Sequence, residues 1–295
     1  MSGLVIVGVD GSPSSLAAVE TAAREARWRG AGLRVVHAFH WPVMPVPLGP
    51  VPQDPAEREF RDMVENLVAE AVERARTVAP EVDVTHAVVT GEPLTVLEAQ
   101  SRGAELMVVG SRGMGGFVGL LVGSTTVRIA AHGQCPVLVV REQPDPAGPI
   151  VLGVDGSRAG AAAVDFAFAE AALRGVGILA LHAWTPWNAP VPPPQDPTEP
   201  YASRPGMLAQ AEEAVLAEAL AGRRERYPEV SVEPHVTRGG TREALIEASS
   251  TAQLLVVGAR GRGGFAGLLL GSVSQAMLHH AHCPVAVVRR PGERR

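Results

Sequence analysis

ELMVVGSRGMGGFVGLLVGSTT, residues 105–126, returns as QLLVVGARGRGGFAGLLLGSVS at residues 253–274. In each copy an apolar run of strand length meets a glycine-rich loop, which closes on Gly-Ser before a helix-like stretch. Apolar runs without alternation mark strands buried on both faces, so the pattern predicts a parallel sheet. Two other segments repeat in the same order. LVIVGVDGS at 4–12 returns as IVLGVDGS at 150–157, and CPVLVVR at 135–141 returns as CPVAVVR at 283–289. Asp10 and Asp155 are 145 residues apart, whereas Gly110 and Gly258 are 148 apart. The change falls between His37/His182 and Gly91/Gly239, where a loop differs in length. A period of half the chain is a domain duplication rather than a solenoid. The expected domains are 1–141 and 150–295, joined by a short proline-bearing linker at 142–149.

In the first copy, strands are expected at 4–9, 33–38, near 82–89, 105–110 and 136–141. Helices are expected at about 13–29, 56–78, from Pro93 onward, and at 124–132. Ser12 reads as an N-cap with Pro13 in the first helical position. The second helix carries Met63, Leu67, Val68, Ala71 and Val72 at helical spacing. Strict strand–helix alternation predicts an α/β, Rossmann-like fold: two tandem doubly wound parallel five-stranded sheets with right-handed crossovers. A ligand in such a sheet sits beyond the carboxyl ends of the strands, where the winding reverses. If the strand order is 3-2-1-4-5, the reversal lies between the strands that end at Asp10 and Gly110. The proline-rich segments 41–56 and 185–206 read as solvated loops, with lids or partner surfaces as the alternative.

Composition narrows the chemistry. A chain of 295 residues with 46% hydrophobic and 19% charged residues suits two ordinary globular domains. A net charge of -5 argues against nucleic-acid binding, which needs a basic surface. All 26 Lys+Arg positions are arginine. That excludes a Walker-type phosphate loop, which uses a lysine, and lysine Schiff-base chemistry. No leader peptide and no apolar run of membrane-spanning length is seen, so a cytoplasmic location is expected, with no membrane partner.

The loop after the fourth strand has the logic of anion capture. Glycines let backbone N–H groups approach a polyphosphate. Gly123-Ser124-Thr125 begins a helix, whose free N–H groups and dipole favour negative charge. The Ser124 and Thr125 hydroxyls suit phosphate oxygens or Mg²⁺, and Arg112 supplies charge where lysine is absent. A flexible glycine turn with an ordinary serine cap is the plainer alternative. It is weakened because the loop recurs in both copies while segments 41–56 and 185–206 diverge.

Both copies resemble the universal stress protein family, in its ATP-binding subclass. The resemblance rests on G-x2-G-x9-G-(S/T), carried in full by both repeats, together with the opening V-D-G-S and the closing C-P-V strand. It covers the chain apart from the proline-rich segments. It implies the 3-2-1-4-5 order, adenine contacts from the ends of the first two strands, and phosphates on the glycine loop. Carried residue by residue, Gly8, Val9 and Asp10 would lie beside the adenosine, and Ala38 would touch the base. Gly110, Arg112, Gly113, Gly115, Gly116, Gly123, Ser124 and Thr125 would hold ribose and phosphates. The second copy offers Gly153, Val154, Asp155, Ala183, Gly258, Arg260, Gly261, Gly263, Gly264, Gly271, Ser272 and Val273. Val273 stands where Thr125 does, so the second site lacks one hydroxyl and is expected to hold phosphate or Mg²⁺ less tightly. The resemblance further implies a homodimer or an intramolecular domain pair, and two free, buried thiols at Cys135 and Cys283.

Asp10 and Asp155 are read as ligand contacts, with bracing of the turn as the alternative. His37 and His182, ending the second strands, are pocket-lining or packing residues. His279, His280 and His282 complement a helix C-terminus rather than forming a closed metal set. Hydrolysis needs a positioned water and charge stabilisation. No acidic base follows the glycine loop, and no nucleophile motif is present. The expected function is therefore an ATP-binding regulator in stress response or growth control, with two ATP sites and an unidentified regulatory protein partner. A slow ATPase or other nucleotide-processing enzyme is the alternative.

Overall fold

The computed structural model describes residues 3–39, 55–113, 122–141, 147–185, 205–262 and 269–290, with the side chains of 55–57 and 205–207 left out. The proline-rich segments therefore fall almost wholly outside the described residues, as does most of the expected linker. Two compact units emerge, Met1–Val140 and Arg141–Arg295.

In the first unit the order is β1 (Leu4–Val9), α1 (Pro13–Arg29), β2 (Gly32–Phe39), α2 (Pro55–Val78), β3 (Val84–Thr90), α3 (Pro93–Ser101), β4 (Leu106–Gly110), α4 (Ser124–His132) and β5 (Val137–Val140). The second unit runs β6 (Ile150–Gly153), α5 (Ala161–Arg174), β7 (Ile178–Trp184), α6 (Pro205–Leu220), the short α7 (Arg223–Arg226), β8 (Val232–Arg238), α8 (Thr241–Ala248), β9 (Leu254–Gly258), α9 (Ser272–His280) and β10 (Val285–Val288). The first sheet is ordered β3-β2-β1-β4-β5 and the second β8-β7-β6-β9-β10, so each is 3-2-1-4-5 in its own numbering. Neighbouring strands within each unit are parallel. Helices α1 and α2 pack together, and α3 packs with α4. Right-handed crossovers put these two pairs on opposite faces, which is why β4 and β5 are buried along their whole length.

Local chemistry accounts for the helix ends. The Ser12 hydroxyl accepts from the Ser15 N–H at 3.2 Å, and Pro13 occupies the first turn of α1. Gly30, at φ 60°, ends it. The second unit departs here. Arg158 stands where Pro13 does, and α5 begins only at Ala161. Ser157 holds a tight turn instead, its hydroxyl accepting from the Gly160 N–H at 3.0 Å.

The stripe expected on α2 needs one correction. Met63 is 55% exposed. The buried residues are Val64, Val68, Ala71, Val72 and Ala75, so the inward face starts one position later. At the amino-terminal side of each sheet lies a buried i,i+4 ion pair. Glu25 meets Arg29, and Glu170 meets Arg174 at 3.1 Å. Arg29 also reaches Glu105 at 3.5 Å, and Arg174 reaches Gln253 at 3.1 Å. These pairs sit away from the strands' carboxyl ends and belong to the scaffold.

Cys135 and Cys283 are free and buried at equivalent strand starts. Burial pushes both thiols from 9.0 up to about 12. The folded chain thus keeps two protons that the unfolded chain releases above pH 9. This contribution to stability is complete below pH 9 and is lost as pH rises towards 12. Iodoacetamide at pH 8 should leave the native protein unmodified and add to both thiols after denaturation, as read by intact mass. A native adduct would show that these strand starts open readily.

Candidate functional site

The winding reversal in the first unit lies between β1 and β4. A cavity of 340 Å³ opens there, and one of 640 Å³ occupies the same place between β6 and β9. Gly8, Val9 and Asp10 at the end of β1 line the first cavity with Ala38 from β2. Gly110, Arg112, Gly113, Gly123, Ser124 and Thr125 close it from the β4–α4 side. In the second unit Gly153, Val154, Asp155 and Ala183 face Gly258, Arg260, Gly261, Gly271, Ser272 and Val273 in the same way. Gly115, Gly116, Gly263 and Gly264 lie outside the described residues.

Each glycine loop is pinched at its base. The Gly123 N–H donates to the Ser111 carbonyl at 2.8 Å, and the Gly271 N–H to the Ala259 carbonyl at 2.7 Å. One turn into each helix a hydroxyl ties back to the end of the preceding strand. Thr126 donates to the Gly110 carbonyl at 2.9 Å, and Ser274 to the Gly258 carbonyl at 2.6 Å. The sequence reading missed this pair, although the 148-residue offset aligns them. The result fixes the N-termini of α4 and α9 at the cavity wall. Neither terminus has a side-chain cap, which leaves first-turn N–H groups for an anion.

Asp10 braces the opposite wall. Its Oδ1 accepts from the Ser12 N–H at 3.0 Å and the Ser12 hydroxyl at 2.7 Å. Its Oδ2 lies so close to Gly113 that an added Cβ would come within 2.5 Å. Asp155 repeats the device. Its Oδ1 accepts from the Ser157 N–H at 2.9 Å, its Oδ2 accepts from the Arg262 N–H at 2.8 Å, and a Cβ on Gly261 would again approach to 2.5 Å. Each aspartate therefore joins the strand-end turn to the glycine loop while lining the cavity. In the first unit Ser14 helps, its hydroxyl accepting from the Arg112 N–H at 3.3 Å. Ala159 stands at that position in the second unit.

The cavities differ most on the side of α2 and α6. His37 and His182 each have Nδ1 on a strand-one carbonyl, Val9 at 2.8 Å and Val154 at 2.7 Å. Only His182 also lines its cavity, and its Nε2 meets Glu212 Oε2 at 2.6 Å. Glu212 is 1% exposed and aligns with Val64 at the 148-residue offset. Trp184 and Arg262 also line the second cavity. Nothing in the local sequence of α6 marked Glu212, because an acid in an amphipathic helix reads as solvent-facing; comparison with Val64 would have marked it.

His279 and His280 have ring centroids 6.1 Å apart, and His279 is shifted below 6.5 by burial, then by His280 and Arg141. Among the described residues no three His, Cys, Asp or Glu side chains are grouped to hold a metal ion. No described helix is long and apolar enough to cross a membrane.

Comparison with known proteins gives a consistent result. The universal stress protein family model matches residues 1–141 and again 147–289. A universal stress protein of Mycobacterium tuberculosis is 40% identical over 305 residues, covering 97% of this chain and 95% of the relative. A second from that organism is 38% identical over 298 residues, covering 97% and 96%. The crystal structure of a universal stress protein from Archaeoglobus fulgidus superposes with a TM-score of 0.70 at 17% identity, covering 100% of this chain and 98% of that one, which speaks to the fold.

The bracing aspartate makes a stability prediction. Asp10→Ala strips the acceptor from the Ser12 N–H and hydroxyl and should cost about 1–3 kcal/mol in denaturant unfolding. Asp10→Asn, which keeps an acceptor oxygen, should cost less. Gly11 sits at φ 85° with a new Cβ only 2.8 Å from Leu67, so Gly11→Ala should cost more than about 1 kcal/mol. Equal stability of Asp10→Ala and the parent would remove the brace from the account.

Proposed function

Given that this chain belongs to the universal stress protein family, we propose that each of its halves, 1–141 and 150–295, binds one ATP at the carboxyl ends of its strands. The observation that carries this reading is the convergence, in both units, of three features on one cavity. These are the winding reversal, an uncapped helix N-terminus and a glycine loop pinned at its neck. The floor, from Gly8, Val9, Val36, Leu97 and Val109, is largely apolar and suits a base. The opposite wall offers N–H groups and hydroxyls, which suit phosphates.

The site dispenses with lysine. Backbone N–H groups at α4 and α9 take the phosphates, with Arg112 and Arg260 adding charge. The donor set also fits Mg²⁺, a hard cation that takes hydroxyl oxygens. Ser124 and Thr125 would hold it in the first half, and Ser272 alone of the corresponding pair in the second. The ion would offset phosphate charge. The chain then acts in the cytoplasm as a nucleotide-responsive regulator of stress response or growth, as a homodimer or an internal domain pair. Occupancy sets the arrangement of the glycine loop and, through it, contact with a protein partner. Uniform binding of this kind lowers the energy of bound ATP without selectively lowering a barrier to its cleavage.

Denaturing protein purified without added nucleotide should release ATP, one per half at saturation, as read by chromatography. Val273→Thr restores the missing hydroxyl and should tighten the second site by roughly two- to tenfold in calorimetry. Absence of nucleotide, together with no heat on ATP titration, would sink the reading. Turnover above background that Gly113→Ala abolishes would replace regulation with catalysis.

A further inference from the structure

The second cavity contains a polar group that the first does not. His182 Nδ1 faces a carbonyl oxygen, which only accepts, so Nδ1 carries a proton. Its Nε2 and Glu212 Oε2 are 2.6 Å apart, so one further proton lies between them. That bond commits Oε2. Arg262 approaches the same oxygen at 3.8 Å, beyond hydrogen-bond range. Glu212 lines the cavity, and its Oε1 is buried with no hydrogen-bond partner among the described residues. A buried acceptor left unsatisfied is costly, and a donor arriving with a ligand removes that cost.

We infer that Glu212 is a specificity-determining residue of the second cavity, where its Oε1 accepts a hydrogen bond from an N–H or O–H group of the bound nucleotide. This rests on the nucleotide reading above and deepens it for one half of the chain. In the first unit the equivalent position is the buried Val64, which makes no such demand and does not line the cavity. Arg262 also lines the second cavity, beside Glu212. The Arg262 side chain is 36% exposed and lies over Gly156, where a Cβ would come within 2.5 Å of the guanidinium. A phosphate on the glycine loop offers this guanidinium an alternative partner. The two halves therefore differ in ligand choice. The second discriminates against nucleotides that lack the matching donor, whereas the first tolerates them.

Two groups of ATP supply such a donor, the exocyclic amine of the base and the ribose hydroxyls. Titration of the full chain with ATP, ITP, 2′-deoxy-ATP and 3′-deoxy-ATP separates them. Trp184 lines the second cavity, so its emission reports occupancy there, and Trp184→Phe identifies that signal. One analogue should bind the second cavity about tenfold or more weakly than ATP, and its identity names the donor. Glu212→Val, which rebuilds the arrangement already folded around Val64, should erase that difference while leaving the first cavity's affinities unchanged. A Glu212→Val protein that binds and discriminates as the parent does overturns the inference and leaves ATP binding intact. Equal affinity of the parent's second cavity for all four ligands does the same. Failure of ATP to bind either cavity overturns both readings.

Discussion

Asp10 Oδ1 accepts twice from Ser12 while Oδ2 abuts Gly113, and Asp155 accepts from the Ser157 N–H at one oxygen and from the Arg262 N–H at the other, beside Gly261. Much of each cavity follows from this contact. The first strand must end where the carboxylate meets the turn, so Gly11 and Gly156 take positive φ to reverse the chain at once. The loop glycine opposite must lack a Cβ, because the oxygen occupies that space. The neck between Ser111 and Gly123 then sets where α4 starts, and with it the direction of its free N–H groups. A carboxylate used in this way is already hydrogen-bonded before any ligand arrives. Its negative charge also sits beside the place assigned to an anion. For the proposed nucleotide, that would favour a neutral ribose near Asp10 and phosphates towards α4 and Arg112.

Phosphate capture by backbone N–H groups, as proposed, would have a consequence for function. Such donors are fixed by the neck and the helix, and they would engage a polyphosphate in its ground state. Acceleration of hydrolysis requires groups that strengthen only as charge moves to the leaving oxygen, together with a positioned water. The hydroxyls of Thr126 and Ser274, further into the first turn, are spent on strand carbonyls and hold the loop. On the proposed reading, the site would retain and sense a nucleotide.

The fold was largely legible because its determinants are local. Uninterrupted apolar runs named the strands, Ser12-Pro13 began α1 where expected, and Pro93 and Ser124 opened α3 and α4. Adjacent apolar residues defeated periodicity on α2. Met63 and Val64 both fit a helical stripe, and only packing against β2, β3 and α1 selects Val64. Most of the cavity wall was legible too, since the repeated motifs end strands or begin helices. Glu212 was not. Its meaning comes from His182, thirty residues away and brought to it by the β7–α6 crossover, and from Arg262 on a third element.

That illegibility is itself informative about the scaffold. Burying a glutamate costs several kcal/mol unless it is paired, and an apolar residue of similar reach is often as stabilising. The first unit supplies the comparison within one chain. Val64 fills the same helix position, His37 keeps the same carbonyl bond, and the strand order is unchanged. The fold thus accepts either solution and does not require the acid. Fold stability alone therefore does not account for Glu212 at this position, and the pairing with His182 satisfies only one of its two oxygens. A residue that the architecture does not need, with one carboxylate oxygen unpaired among the described residues, is where the inferred difference in ligand choice between the two cavities would reside.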